Sequence, residues 1–356
     1  MKRHGIPVLF GMVAFLMFGG CATHKSMTPA IDPLFAEFSG EGTPGAAVMV
    51  LKSGKPVFTG TYGAANLTTG APVTETTNFR LASFTKQFTA MAALLLVDKG
   101  TITLDTTLTA VFPDFPAYGR DINIRNLLQH TSGLVAYEDL MDPADTTQIL
   151  DRGVYRLLAA VDSTYFVPET AYRYSNSGYA ILANVIAKVT GKSFAEALDD
   201  LIFSPLGMDR TVAYEKGIST VPERAYGYRN ENGRWLFSDQ STTSAVLGDG
   251  GIYTSLKDLK KWDKALYGGS AISEKVIKQA FTPGRLADGT PLTYGFGWGI
   301  DEYKGHRRVS HGGATCGFRT AIMRFPDERV TVIILTNRRE ATVERLAESV
   351  ADMYLE

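Results

Sequence analysis

Three short stretches of this chain carry residue types that do chemistry together. In LASFTKQFTA, Leu81 to Ala90, Ser83 stands three residues before Lys86, the only S-x-x-K in the sequence. That spacing is close to one helical turn, so the hydroxyl and the ammonium can share a face. A serine hydroxyl is a weak nucleophile until a base removes its proton. A lysine can be that base when burial or a neighbouring cation lowers its pKa, and Phe84, Phe88 and Met91 supply apolar flanks. The pattern also fits a surface helix start with a solvated lysine, so the pair needs company. In YRYSNSGYAIL, Tyr174 and Asn176 stand at the mouth of a helix. They offer a phenol to shuttle a proton and an amide to clamp a substrate. A core tyrosine beside a helix cap fits those residues equally well. In SHGGATCGFRT, His311, Gly312 and Gly313 fall on an expected strand, where glycines let another backbone approach.

The elements that must position these residues follow from periodicity and stop signals. AAVMVLKSGKPVFTGTYGAAN predicts two strands joined by a Ser53-Gly54 turn. FTKQFTAMAALLLVDKG predicts a helix with Phe84, Phe88, Met91 and Leu95 on one face, ended by Gly100. INIRNLLQHTSGL predicts a short helix stopped by Gly133, and SGYAILANVIAKVTG a longer one closed by Gly191. Ser193 and Glu196 form a capping box, and Ser255 caps a helix running to about Tyr267. TYGFGWGIDEY, RTAIMRF and RVTVIILTN read as strands, the last two joined at Asp327-Glu328. An amphipathic helix with Val343, Leu346, Val350 and Met353 closes the chain. Strands at both ends with helices between imply an α+β fold whose antiparallel sheet is built from the two termini.

The 356 residues, 45% of them hydrophobic, suffice for one large core. A net charge of -1, with no basic run beyond the first residues, argues against nucleic acid as a partner. His130, His306 and His311 lack metal-ligand spacing, so no metal and no cofactor is expected. Several motifs are decoys. GEGTPG at Gly40 follows a helix-like stretch and precedes a strand, the reverse of a dinucleotide loop. KSG at Lys52 is the first hairpin turn, and GKS at Gly191 lacks the upstream glycine of a phosphate loop. Tyr228 and Asn230 belong to a polar hairpin tip with Asn232-Gly233. No G-x-S-x-G occurs.

Residues 1–20 read as a signal peptide: Lys2 and Arg3, then an apolar run from Ile6 to Phe18 too short to span a membrane. FGGCAT resembles a bacterial lipobox, with Phe18 where leucine is usual. It implies an acylated Cys21, a membrane partner through a lipid anchor, and a linker over residues 21–30. A soluble secreted protein cut nearby is the alternative. Ala22 resembles the outer-membrane sorting signal, so the expected location is the bacterial cell envelope. An acylated Cys21 leaves Cys316 without a disulfide partner, and Cys316 is expected to be a small packed residue.

Ser83-x-x-Lys86, Tyr174-x-Asn176 and His311-Gly312-Gly313 occur in the order and rough spacing of the serine β-lactamase and penicillin-binding superfamily. The chain most resembles its class C-like branch of esterases, D-aminopeptidases and DD-carboxypeptidases. HTSGL at His130, SPLGM at Ser204, GDGGIYTSLKDLKKW at Gly248 and LTN at Leu335 resemble further signatures, and the likeness runs from about Leu34 to the end. It implies a hydrolase domain over residues 31–356 with a helical subdomain at about 101–245. It further implies that Ser83 is the nucleophile, that Lys86 and Tyr174 share the base role, and that Asn176 holds the acyl side. The N–H groups of Ser83 and Ala314 would form an oxyanion hole, with His311 facing the leaving group or a carboxylate. His130 maps to no catalytic position and is expected to be structural. The family's usual lysine is replaced by His311, a form that resembles the esterase and D-peptidase branch. The implied function is acyl-enzyme hydrolysis of a small-molecule or peptide ester or amide. A class C-type β-lactamase, a penicillin-binding carboxypeptidase and an inactive scaffold of the same fold are the alternatives.

Overall fold

The computed structural model describes Met1 and residues 31–355, so the expected signal and Cys21 lie outside the described residues. Six strands form one antiparallel sheet: β1 (Ala46–Lys52), β2 (Lys55–Tyr62), β3 (Gly299–Tyr303), β4 (His306–Thr315), β5 (Phe318–Phe325) and β6 (Val330–Thr336). Their order is β3-β4-β5-β6-β1-β2. The two ends of the chain therefore meet at the centre, in a register running from Ala46 opposite Thr336 to Lys52 opposite Val330. The β1–β2 turn places Ser53 and Gly54 at φ of 51° and 72°, the paired positive values that suit a tight hairpin.

β1 and β6 read as nearly unbroken apolar runs because both of their faces are covered. Ala47, Met49, Leu51, Ile333 and Leu335 point to the helical body. The alternate residues Val48, Val50, Val332 and Ile334 point to the terminal helix Val343–Ala351 and to Phe35 and Phe38 of a short 3-10 segment.

The helical body lies between β2 and β3 in the chain. Its main helices are α1 (Lys86–Asp98), α2 (Asp151–Ala159), α3 (Asn176–Thr190) and α4 (Leu256–Ala265); Val343–Ala351 is α5. α1 departs from the one-sided pattern expected of it, since every residue from Lys86 to Leu96 is buried. Helices and sheet surround it, and even Gln87 is enclosed, accepting a hydrogen bond from Trp262 Nε1 on α4 at 3.1 Å. Ser175 caps α3 and Gly191, at φ 67°, closes it. The caps at Ser193 and Ser255 form as expected.

Two boundaries differ from the sequence reading. The helix Ile124–Leu128 ends at Gln129, before Gly133. Gly133 is needed elsewhere: a Cβ there would sit 2.2 Å from the Phe166 carbonyl oxygen. The strand expected from Thr293 starts only at Gly299. Gly297 adopts φ 80° where the chain presses on α1, and its Cβ would lie 2.8 Å from the Lys86 carbonyl oxygen. No helix among the described residues is long and apolar enough to cross a membrane.

Candidate active site

Ser83 lies in a 3-10 turn, Ala82–Thr85, that leads into α1, and Lys86 is the first residue of that helix. Ala82 has φ 51°, a left-handed conformation that costs a non-glycine residue energy and is held only by its surroundings. Ser83 is half-buried, and Lys86 is fully buried. An ammonium has three protons, and here each has one acceptor. Lys86 Nζ donates to Ser83 Oγ at 3.1 Å, to Asn176 Oδ1 at 2.9 Å and to the Asp249 carbonyl oxygen at 3.1 Å. The expected serine–lysine pair is thus joined by Asn176, brought in by the first turn of α3.

The third acceptor was not legible in side-chain types, because it is a backbone carbonyl. It belongs to a helical turn, Leu247–Gly250, whose first N–H groups donate to the Asp151 carboxylate at 2.8 and 3.0 Å. Gly248 allows this turn to touch α3, since its Cβ would lie 2.3 Å from the Tyr179 carbonyl oxygen. The Asp249 carboxylate accepts from Tyr137 Oη at 3.2 Å. Burial raises its pKa to about 6 against the pull of Lys86, and burial raises Asp151 to about 7. Asn176 turns its amide nitrogen to Glu138 Oε1, at 2.8 Å. Glu138 is exposed, so this hydrogen bond sets an anion at the cleft mouth. Sequence reasoning missed it because nothing local links Glu138 to Asn176.

Tyr174 meets Lys86 with its ring, whose centroid is 4.9 Å from Nζ. The ring of buried His130 lies against it, 4.2 Å between centroids, so the expected structural histidine is a direct neighbour of the site. His311, on β4, uses both ring nitrogens. Nδ1 lies 2.6 Å from the Gly312 carbonyl oxygen, which only accepts, so Nδ1 carries the proton. Nε2 then accepts from Tyr294 Oη at 3.0 Å. Burial, with the charge of Lys86 adding to it, lowers the His311 pKa to about 4. The ring is therefore neutral at pH 7 and leaves no N–H free for a ligand.

The glycines of β4 serve different faces. Gly313 lies against the Ser83 turn: a Cβ there would be 2.0 Å from the Leu81 carbonyl oxygen and 2.5 Å from Thr320 Oγ1. Gly312 faces the other way, and its Cβ would meet Glu344 of α5. The Ala314 side chain shares that outer face by alternation, so only its backbone can serve the cleft. β3 pairs with residues 306–310, and among the described residues β5 is the one strand partner of residues 311–315. Their other edge runs beside the Ser83 turn. Arg319 sits opposite Ala314 in register and therefore shares the outer face, with Arg339, Glu340 and Glu344 as its charged neighbours. It supplies no cation to the cleft. Cys316 is half-buried at the β4–β5 turn with φ 40°, less enclosed than expected. Among the described residues, no cluster of His, Cys, Asp and Glu is placed to hold a metal ion.

Comparison with known proteins agrees with this geometry. Penicillin-binding protein 4* of Bacillus subtilis is 34% identical over 317 residues, which are 83% of this chain and 68% of that protein. A D-aminopeptidase of Gluconobacter oxydans is 30% identical over 329 residues, 90% of this chain but only 60% of that enzyme's length. The solved octameric penicillin-binding protein homologue of Pyrococcus abyssi superposes with a TM-score of 0.76 at 24% identity, covering 92% of this chain and 76% of that one. The Beta-lactamase family matches from residue 31 to residue 354. Nearly every described residue falls inside that match, and the chain belongs to the beta-lactamase family.

Proposed function

We propose that this chain is a serine hydrolase that cleaves amides and esters through an acyl-enzyme on Ser83. The observation that carries the reading is the fixed Lys86 ammonium, held at once by the Ser83 hydroxyl, the Asn176 amide and the Asp249 carbonyl. In the reaction, Ser83 Oγ attacks the substrate carbonyl carbon while its proton passes to the base that Lys86 and Tyr174 share, with one of the two deprotonated beforehand: Lys86 as a free amine, or Tyr174 as a phenolate beside the ammonium. The N–H groups of Ser83 and Ala314 hold the resulting oxyanion, a kind of contact worth about 3–4 kcal/mol per donor. The proton then goes to the leaving amine or alkoxide as its bond to carbon breaks. Water, deprotonated by the same base, attacks the ester on Ser83 and restores the hydroxyl.

Two features narrow the substrate. Glu138 places a carboxylate beside Asn176, on the acyl side, where it suits a substrate carrying a free amine. On the leaving-group side His311 is neutral and Arg319 faces away, so a leaving group without a carboxylate is favoured. A D-amino-acid amide or peptide amide meets both conditions, and the D-aminopeptidase relative supports that choice. Penicillins carry a carboxylate to which neither the neutral His311 nor the outward Arg319 offers a charge.

The purified soluble form should be challenged with D-alanine p-nitroanilide, its N-acetyl derivative, an aryl ester and a chromogenic cephalosporin, beside Ser83→Ala. Turnover of the free-amine anilide and the ester, lost in Ser83→Ala, is expected. Preference for the cephalosporin overturns the choice of substrate, and activity surviving in Ser83→Ala overturns the assignment of the nucleophile. We also propose, from FGGCAT alone, that Cys21 is lipidated and holds the enzyme to the cell envelope. A soluble mature form with unmodified Cys21 on intact-mass analysis would refute it.

A further inference from the structure

We propose that His130 is a positioning residue that holds Tyr174 in its working place beside Lys86. The inference rests on the reaction given above and adds a part to it. Tyr174 comes from a segment without regular structure and is 41% exposed. Left to itself, such a phenol would sample several rotamers. His130 fixes the backbone on both sides of it. Its carbonyl oxygen accepts from Arg173 N at 3.0 Å, and its Nδ1 accepts from Ser175 N at 3.1 Å. Between those two hydrogen bonds, the imidazole lies against the Tyr174 ring. Tyr294 and Tyr179 pack on the imidazole in turn, at 4.6 and 5.1 Å between centroids.

The chemistry of the side chain argues that this is more than packing. Because Nδ1 accepts, the ring proton sits on Nε2, and that buried Nε2 has no hydrogen-bond partner among the described residues. An unpaired buried donor is costly, and a phenylalanine would fill the same space without it. An asparagine would supply an acceptor without the flat face. Histidine combines a small aromatic face with an acceptor that is part of the ring itself. The backbone agrees, since His130 has φ 60°, a conformation in which histidine is several-fold enriched among non-glycine residues. Burial lowers its pKa well below 6.5, which keeps Nδ1 free to accept.

The test is a double-mutant cycle. His130→Phe keeps the ring and loses the acceptor, and Tyr174→Phe keeps the ring and loses the hydroxyl. His130→Phe is expected to lower kcat by up to about a hundredfold, the scale of a misplaced catalytic group, with KM changed little. In the Tyr174→Phe background the same substitution should cost nothing further. His130→Asn, which restores an acceptor, should recover part of the loss. Equal losses in both backgrounds would mean general disruption and overturn the positioning role alone. Full activity of Tyr174→Phe would overturn the role of Tyr174 in the reaction as well. Nitrogen NMR of the unaltered protein covers the case in which His130→Phe does not fold. At pH 7 His130 should be the neutral Nε2–H form with a hydrogen-bonded Nδ1. An imidazolium, or a proton on Nδ1, overturns the proposal.

Discussion

At His311 a single ring decides what the cleft can hold. Residue types alone place its pKa near the ordinary 6.5, and the structure moves it to about 4 through burial and the charge of Lys86. A lowered histidine pKa means that the cation forms only as pH falls through that value. Penicillin acylation relative to ester acylation should therefore stay flat from pH 8 to 5 and begin to rise near 4. His311→Lys should raise it about five- to thirtyfold at pH 7, the gain of a charged over a neutral hydrogen bond. Stopped-flow acylation with a penicillin and an aryl ester measures both. A rise centred near pH 6.5 would show that the ring is not buried as described. Ser83, Lys86, Tyr174, Asn176 and His311 were all legible as candidates, because reactive side chains announce themselves by type and spacing. Glu138 and the Asp249 carbonyl were not. One acts across a long stretch of sequence, and the other is a backbone atom that any residue possesses.

Among the elements, β4 and the turn before α1 define the cleft by how closely they meet. Gly313→Ala would drive a Cβ to 2.0 Å from the Leu81 carbonyl oxygen. Backbone atoms cannot swing aside, so the strand must move away from Ser83. A stability loss of about 1–3 kcal/mol and a fall in kcat of more than tenfold are expected. Gly312→Ala is the control: its Cβ meets Glu344 Oε1 at 2.7 Å, the far end of an exposed, flexible side chain, and both costs should be small. Urea midpoints and steady-state rates compare the two. Their common motif hides this difference in the sequence, since it appears only once β4 has a register and two faces. The departures at Gly133 and Gly297 have the same origin. A glycine reads as a stop signal locally, yet each is fixed by a distant carbonyl that comes within 3 Å of its absent Cβ.

Across the whole molecule, the sheet was legible in outline because strands at both ends had to find each other. Its coupling to the helical body was not. Arg324 of β5 and Asp263 of α4, both fully buried, pair at 2.9 Å, and Thr331 of β6 donates to the same carboxylate oxygen at 2.7 Å. Asp263→Ala strands the guanidinium and should cost about 3–5 kcal/mol. The pair Asp263→Leu with Arg324→Met should cost less than Asp263→Ala alone, as read from denaturant midpoints. Asp151 adds a pH term. Its folded pKa of about 7 lies above the unfolded value of 3.8. The folded state thus holds the proton more tightly, and that contribution is full below 3.8 and lost as pH rises through 7. Relative to the parent, Asp151→Asn should gain stability between pH 5 and pH 8, and urea melts at the two values test this.

The pairing of Ala46 with Thr336 also sets an order of assembly. During synthesis β1 and β2 emerge early, but the central neighbour of β1 is made almost last. The nascent chain exposes an apolar strand edge until its final segment arrives, and such late, non-local closure folds slowly. Ser83 and Lys86 can meet before then, yet the strand that would receive the oxyanion cannot be in place. The chain thus becomes an active hydrolase only when its last strands have been delivered.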